Sequence, residues 1–164
     1  MKLNVGCGRN ILDGYENLDL YVGDPRVILC DVRRLPYDDK SIDKVLAEDI
    51  LEHFPRLEWK SVVAEWWRVL KPGGDLTVQF PDMIGLSKVL QGATTIEEWE
   101  HWNRKIFGGQ GDGVGHGSGM FHCTGFSSWY LREYLHTTFG AKIVSATCHD
   151  YNCTIVAEKS EVTP

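Results

Sequence analysis

Apolar residues gather in short runs along the first half of the chain, and each run ends on glycine or a carboxylate. Lys2-Leu3-Asn4-Val5 leads straight into Gly6-Cys7-Gly8, and Asn17-Leu18-Asp19-Leu20, Val27-Ile28-Leu29-Cys30 and Asp43-Lys44-Val45-Leu46-Ala47 follow at short intervals. Runs of this length, bounded by turn-forming residues, predict strands. Between Arg56 and Leu70 the period changes. Val62, Val63, Trp66, Trp67 and Leu70 recur at helical spacing, with Pro55 suited to a first turn and Pro72-Gly73-Gly74 to a stop. Leu76-Thr77-Val78-Gln79-Phe80 returns to the strand pattern and ends at Pro81-Asp82. Strands alternating with crossover connections predict a mainly parallel sheet.

The second half is looser. A short helix is expected from Met83 to Gly92, and Thr95-Ile96-Glu97-Glu98 is a capping box that opens another, ended by Gly108-Gly109. Ser127 suits an N-cap, Phe126 and Leu131 have the spacing of a hydrophobic staple, and Gly140 suits a C-terminal stop. Lys142 to Cys148 and Asn152 to Glu158 read as strands joined by His149-Asp150-Tyr151, a connection too short for anything but an antiparallel hairpin. The helical spacing of Trp66, Trp67, Trp99 and Trp102 favours packing over a base-stacking surface for most of them.

Composition narrows the function classes. The 164 residues are 43% hydrophobic and 24% charged, within the range of one soluble domain spanning 1–164. A formal charge of −6 argues against bulk nucleic acid as a partner, because phosphate neutralisation drives most such binding. No apolar run approaches the roughly 20 residues of a membrane helix. Five cysteines without a C-x-x-C pair or a signal peptide predict a reduced, cytoplasmic protein.

Chemistry concentrates at the first glycine turn. Gly-x-Gly after a first strand lets backbone approach a ligand closely, and Asp19, at the end of the next strand, can accept both hydroxyls of a ribose. Only ten residues separate Gly8 from Asp19, and the third glycine of a dinucleotide fingerprint is absent, so a nucleoside without a pyrophosphate fits better than a nicotinamide or flavin.

These residues resemble a family. Asn4-Val5-Gly6-Cys7-Gly8, Gly14-Tyr15-Glu16-Asn17-Leu18-Asp19, Asp31 with Leu35-Pro36-Tyr37 and Ser41-Ile42-Asp43, Leu51-Glu52-His53, and Arg68-Val69-Leu70-Lys71-Pro72-Gly73-Gly74 are similar to the ordered motifs of small class I, Rossmann-like S-adenosylmethionine-dependent methyltransferases of the type 11 kind. The resemblance covers residues 2 to 82. Phe107-Gly108-Gly109-Gln110, His122 and Gly125-Phe126 also look like a segment of some members. It implies an α/β fold with a mainly parallel sheet and an antiparallel C-terminal strand, S-adenosylmethionine as cofactor, and a small molecule as methyl acceptor. Gly6, Cys7 and Gly8 would pass the methionine end of the cofactor, with Asn4 close by, although members often carry an acid there. Asp19 would hold the ribose, Leu20 would flank the adenine, Asp31 and the Val32 amide would meet its edge, and Glu48 would contact the methionine end. The family's N-terminal covering helices have no counterpart ahead of the first strand.

Methyl transfer requires alignment and water exclusion, and a base only if the acceptor must lose a proton. His122, Asp82 and His53 are the candidates for that base. Each also has a plainer reading: Asp82 as a helix cap, His53 as a structural residue, and at least two of Glu48, Asp49, Glu52 and His53 as caps or solvated charges. Seven glycines lie between Gly108 and Gly119, and residues 108–125 are expected to form a lid over the site. No metal is expected: His116, His122 and Cys123 lack a recognised ligand spacing, and the calcium-repeat register fails. A catalytically inactive protein that kept the fold as a binding or regulatory module is the alternative, and a nicotinamide-dependent oxidoreductase is a more distant one.

Overall fold

The computed structural model describes residues 1–109 and 121–161. Seven strands form one sheet: β1 (Lys2–Val5), β2 (Glu16–Asp19), β3 (Val27–Leu29), β4 (Ile42–Glu48), β5 (Leu70–Pro81), β6 (Lys142–His149) and β7 (Asn152–Glu158). Their order is β3-β2-β1-β4-β5-β7-β6, and among the described residues only β7 runs antiparallel to its neighbours β5 and β6. The expected mainly parallel sheet with an antiparallel final strand is what forms. The helices are α1 (Trp59–Val69), α2 (Met83–Gln91), α3 (Ile96–Phe107) and α4 (Ser128–Phe139), with a short 3₁₀ turn at Leu51–His53.

The central strands are buried on both faces, which explains their apolar runs: Leu3, Val5, Val45, Ala47, Leu76, Val78 and Phe80 are inaccessible to solvent. Helix α1 buries Val62, Val63, Trp66 and Trp67 against this core, and the Trp66 indole N–H donates to the Val32 carbonyl at 3.0 Å. Helices α1 and α4 meet through aromatic rings, Trp59 with Tyr134 and Trp67 with Phe139. Helix α3 keeps its capping box at Thr95 and Glu98 but buries none of its residues. Trp99 is therefore 51% exposed, against the packing expectation, while Trp102 rests on the Tyr151 ring. Among the described residues no helix is long and apolar enough to cross a membrane.

Two boundaries differ from the sequence reading. Pro55 does not enter a helix; its carbonyl accepts from the Glu58 and Trp59 amides, closing a turn before α1 begins. Pro72-Gly73-Gly74 lies inside β5, where the pairing with β4 shifts register and Gly73 takes φ +77°. The cysteines differ as well. The β6–β7 register sets Cys148 opposite Cys153 with their Cα atoms 4.1 Å apart, and the two form a disulfide, so the all-thiol expectation is corrected. Cys7, Cys30 and Cys123 are free thiols.

Candidate functional site

The chain leaves β1 toward β2 and β3 on one side of the sheet and returns through β4 to build the other side. This switch between β1 and β4 opens a crevice at the strands' carboxyl ends, where open α/β sheets bind ligands. The Gly6 to Asn10 turn forms one wall. Gly6 takes φ +63°, and a Cβ there would stand 1.8 Å from Ile50 Cδ1, so the turn closes against Ile50 only with glycine. Asn4 is buried, and its amide donates to the Asn10 carbonyl at 2.8 Å and to Asn17 Oδ1 at 2.9 Å. Asp19 Oδ2 accepts from the Gly8 amide at 2.9 Å, while Oδ1 accepts from the Tyr21 and Val22 amides. The carboxylate thus ties the turn to the end of β2.

Together Asn4, Gly6, Cys7, Gly8, Arg9, Asn10, Glu48 and Asp49 enclose a cavity of about 270 Å³. Asn10 Nδ2 donates to Glu48 Oε2 at 2.8 Å across its mouth. Burial, and then the charge of Asp19, pushes the Cys7 thiol up to about 11. Leu20 is 42% exposed and Asp31 forms a surface ion pair with Arg33 at 2.8 Å, which with the Arg33 hydrogen bonds holds its carboxyl below the usual range. Val32 is buried beneath this edge. These three, with Asp19, lie outside the cavity lining, along the open end of the sheet.

A second cavity of about 390 Å³ adjoins the first through Asp49 and is lined by Glu52, His53, His122, Pro81, Arg104, Lys105, Gly108, Gly109, Tyr151 and Asn152. Asp49 holds φ +49°, a conformation costly for a side-chain-bearing residue, and desolvation raises its carboxyl. Glu52 is only 3% exposed, and neither carboxylate oxygen has a hydrogen-bond partner within the standard geometry among the described residues. Burial pushes its carboxyl up to about 8, with its own backbone N–H giving partial compensation. Residues 121–124 close over it: the Cys123 and Thr124 amides donate to the Glu52 carbonyl, and the Thr124 hydroxyl donates to the Phe54 carbonyl at 2.8 Å. His122 Nε2 stands 3.9 Å from Glu52 Oε1, and the His53 and His122 rings meet edge to face, their centroids 4.9 Å apart. Desolvation lowers both imidazoles below their ordinary value, so each is a neutral proton acceptor near pH 7.

Of the three candidate bases, His53 and His122 come together here. Asp82 does not. Its Oδ2 accepts from the Gly85 amide at 2.8 Å and its Oδ1 from the Ser128 amide at 2.9 Å, which commits the carboxylate to the starts of α2 and α4. Sequence reasoning passed over Glu52 as a cap or a solvated charge. A polar residue one position after an apolar Leu51 carries no signal of burial, and the segment that buries it lies seventy residues downstream. The lid expected over 108–125 falls largely on residues outside those described.

Comparison with known proteins agrees with this architecture. The methyltransferase domain family matches residues 12–78. A S-adenosylmethionine-dependent methyltransferase from Methanosarcina mazei is similar at 18% identity and TM-score 0.66, over 97% of this chain and 92% of that one. A Pyrococcus horikoshii OT3 protein is similar at 20% identity and TM-score 0.64, over 97% and 81%. The 1,6-didemethyltoxoflavin-N1-methyltransferase of Burkholderia thailandensis, crystallised with bound 1,6-didemethyltoxoflavin and S-adenosylhomocysteine, is similar at 17% identity and TM-score 0.63, over 97% and 70%. No curated protein sequence matches the chain. With its 3-2-1-4-5-7-6 sheet and its matching segment at 12–78, the chain has the Rossmann-like fold of the class I S-adenosylmethionine-dependent methyltransferases.

Proposed function

We propose that the chain is a single catalytic domain that binds S-adenosylmethionine at the β1–β4 crevice and transfers its methyl group to a small molecule in the adjoining cavity. One observation carries the reading: two cavities at the sheet's carboxyl edge meet at Asp49, one framed by a glycine turn and the other by ionisable side chains. The glycine turn, Asn4 and Glu48 would frame the methionine end, Asp19 would take the ribose, and Leu20, Asp31 and Val32 would meet the adenine along the open edge. Accepting the adenine amino group would require Asp31 to release Arg33, a modest cost for an exposed ion pair.

The second cavity suits the acceptor because it faces the end of the first that would hold the methyl group. Alignment of acceptor and methyl supplies most of the acceleration in such a displacement. A neutral His53 or His122 can take a proton from an acceptor heteroatom as the new bond to carbon forms. Asp82, with both oxygens engaged, would serve by positioning α2 and α4.

Incubation with methyl-labelled S-adenosylmethionine and fractionated small-molecule extract tests the assignment. Transfer of label to a low-molecular-weight fraction, reduced in His122→Asn, supports it. Cofactor binding with label at background in every fraction would favour the inactive binding protein instead.

A further inference from the structure

We propose that Glu52, His53 and His122 form a binding site for one divalent transition-metal ion, of the zinc type, in the wall of the second cavity. Each residue offers one ligand atom, and the three atoms lie within 4.8 Å of one another. The set is two imidazoles and one carboxylate, a combination that holds zinc in catalytic sites and leaves a further position open. With bonds near 2.1 Å, tetrahedral ligand atoms stand about 3.4 Å apart, so closing on an ion requires movements of roughly 1 Å. Side-chain rotation supplies that without shifting the backbone.

The independent observation is the state of Glu52. A carboxyl group that is 3% exposed, with both oxygens unpartnered among the described residues, is costly to bury in either protonation state, and a bound cation would give those oxygens a partner. His122 Nε2 is 3.9 Å away, beyond hydrogen-bond range but at a separation that an ion can bridge. His53 is already oriented: its Nδ1 lies 3.0 Å from the Phe121 carbonyl, which as a hydrogen bond places the proton on Nδ1 and leaves Nε2 as the ligand. The backbone holds the ligands in place. His53 sits in the 3₁₀ turn with Glu52, and the His122 amide donates to the Phe107 carbonyl while its neighbours Cys123 and Thr124 bond to Glu52.

Arg104 and Lys105 oppose a cation there and Asp49 supports one, so selectivity rests on the two imidazoles, which favour transition metals over magnesium or calcium. The open position faces the cavity, where an acceptor oxygen, sulfur or nitrogen could bind the ion and release its proton to water, since with the ion bound both imidazoles are ligands and neither serves as the base. That role rests on the methyltransferase reading; the binding of the ion does not.

Tag-free protein, stripped with chelator, is titrated with Co²⁺ followed by visible absorption and with Zn²⁺ by calorimetry. One equivalent of each is expected, with ligand-field bands for Co²⁺ and affinity at least about 100-fold weaker in His122→Asn and in Glu52→Gln. Circular dichroism and the urea midpoint of each variant confirm that it is folded. A stoichiometry well below one in the wild type, or an affinity unchanged in both folded variants, would overturn the site. S-adenosylhomocysteine titrated into stripped protein separates the two readings: metal binding without nucleoside binding removes the cofactor assignment and leaves the ion site standing.

Discussion

Replacing Gly6 by alanine tests whether the crevice is shaped by backbone that only glycine permits. Two costs can be separated. At φ +63° the left-handed conformation costs an L-residue about 1–2 kcal/mol. The added Cβ would stand 1.8 Å from Ile50 Cδ1, 2.8 Å from Cγ1 and 3.0 Å from Cβ, so rotating the terminal methyl away does not relieve the overlap. Ile50 must shift as a whole against its half-buried packing, an overpacking cost of about 1–3 kcal/mol. The sum is about 2–5 kcal/mol. Gly8 is the internal control. It holds φ +52°, but a Cβ there meets nothing within 4 Å among the described residues, so Gly8→Ala carries the conformational cost alone, about 1–2 kcal/mol. Urea denaturation of both variants, with equal slopes, gives the difference directly. Ile50→Ala added to Gly6→Ala should recover about 1–3 kcal/mol relative to additivity, since the two side chains would touch. Equal destabilisation of Gly6→Ala and Gly8→Ala, or strict additivity with Ile50→Ala, would refute the reasoning.

Asp82→Ala removes acceptors from the Gly85 and Ser128 amides and should destabilise by about 2–4 kcal/mol in chemical denaturation, with Asp82→Asn recovering part of it. Gly85→Ala would bring a Cβ to 2.6 Å from the Asp150 carbonyl oxygen, where backbone cannot yield easily, so its thermal midpoint should fall below that of Gly92→Ala, whose nearest neighbour would be 3.5 Å away. With its pKa raised from 9.0 to about 11, the Cys7 thiol should react with iodoacetamide at pH 8 at least about 100-fold more slowly than the exposed Cys123, read by mass spectrometry of the digested protein. The same shift sets a stability trend: the unfolded thiol ionises near pH 9 while the folded one keeps its proton until about 11, so Cys7 lowers stability as pH rises through that window, and Cys7→Ala should flatten the decline.

Much of the fold was legible because local pattern and global position agree. Apolar runs such as Leu76 to Phe80 mark strands buried on both faces, and the change of period at Val62 to Leu70 marks a helix with one buried face. The capping box at Thr95 and the cap at Ser127 both form as read. What the sequence hid depends on distant chain segments. Trp99 shares its helical spacing with buried tryptophans, yet α3 lies against α2 at the periphery, where its apolar face stays open. The Cys148–Cys153 pair follows from the hairpin's register, which spacing alone did not settle. Glu52 becomes conspicuous only once residues 121–124 close over it, and the split between Asp82 as cap and the two histidines as cavity residues is a matter of where α2 and α4 begin. Asn4 adds a part its position did not reveal: besides lining the first cavity, its amide fastens the glycine turn to Asn17.

The proposed cofactor site is the crevice between β1 and β4, with Asp19 as the ligand of the ribose. Calorimetric titration with S-adenosylhomocysteine tests it most directly, comparing wild type with Asp19→Ala after checking that the variant remains folded. Saturable one-to-one binding at micromolar ligand is expected, weakened at least about tenfold in Asp19→Ala by loss of charge-assisted hydrogen bonds to the ribose. No heat at high micromolar ligand, or equal affinity in the two proteins, would contradict it.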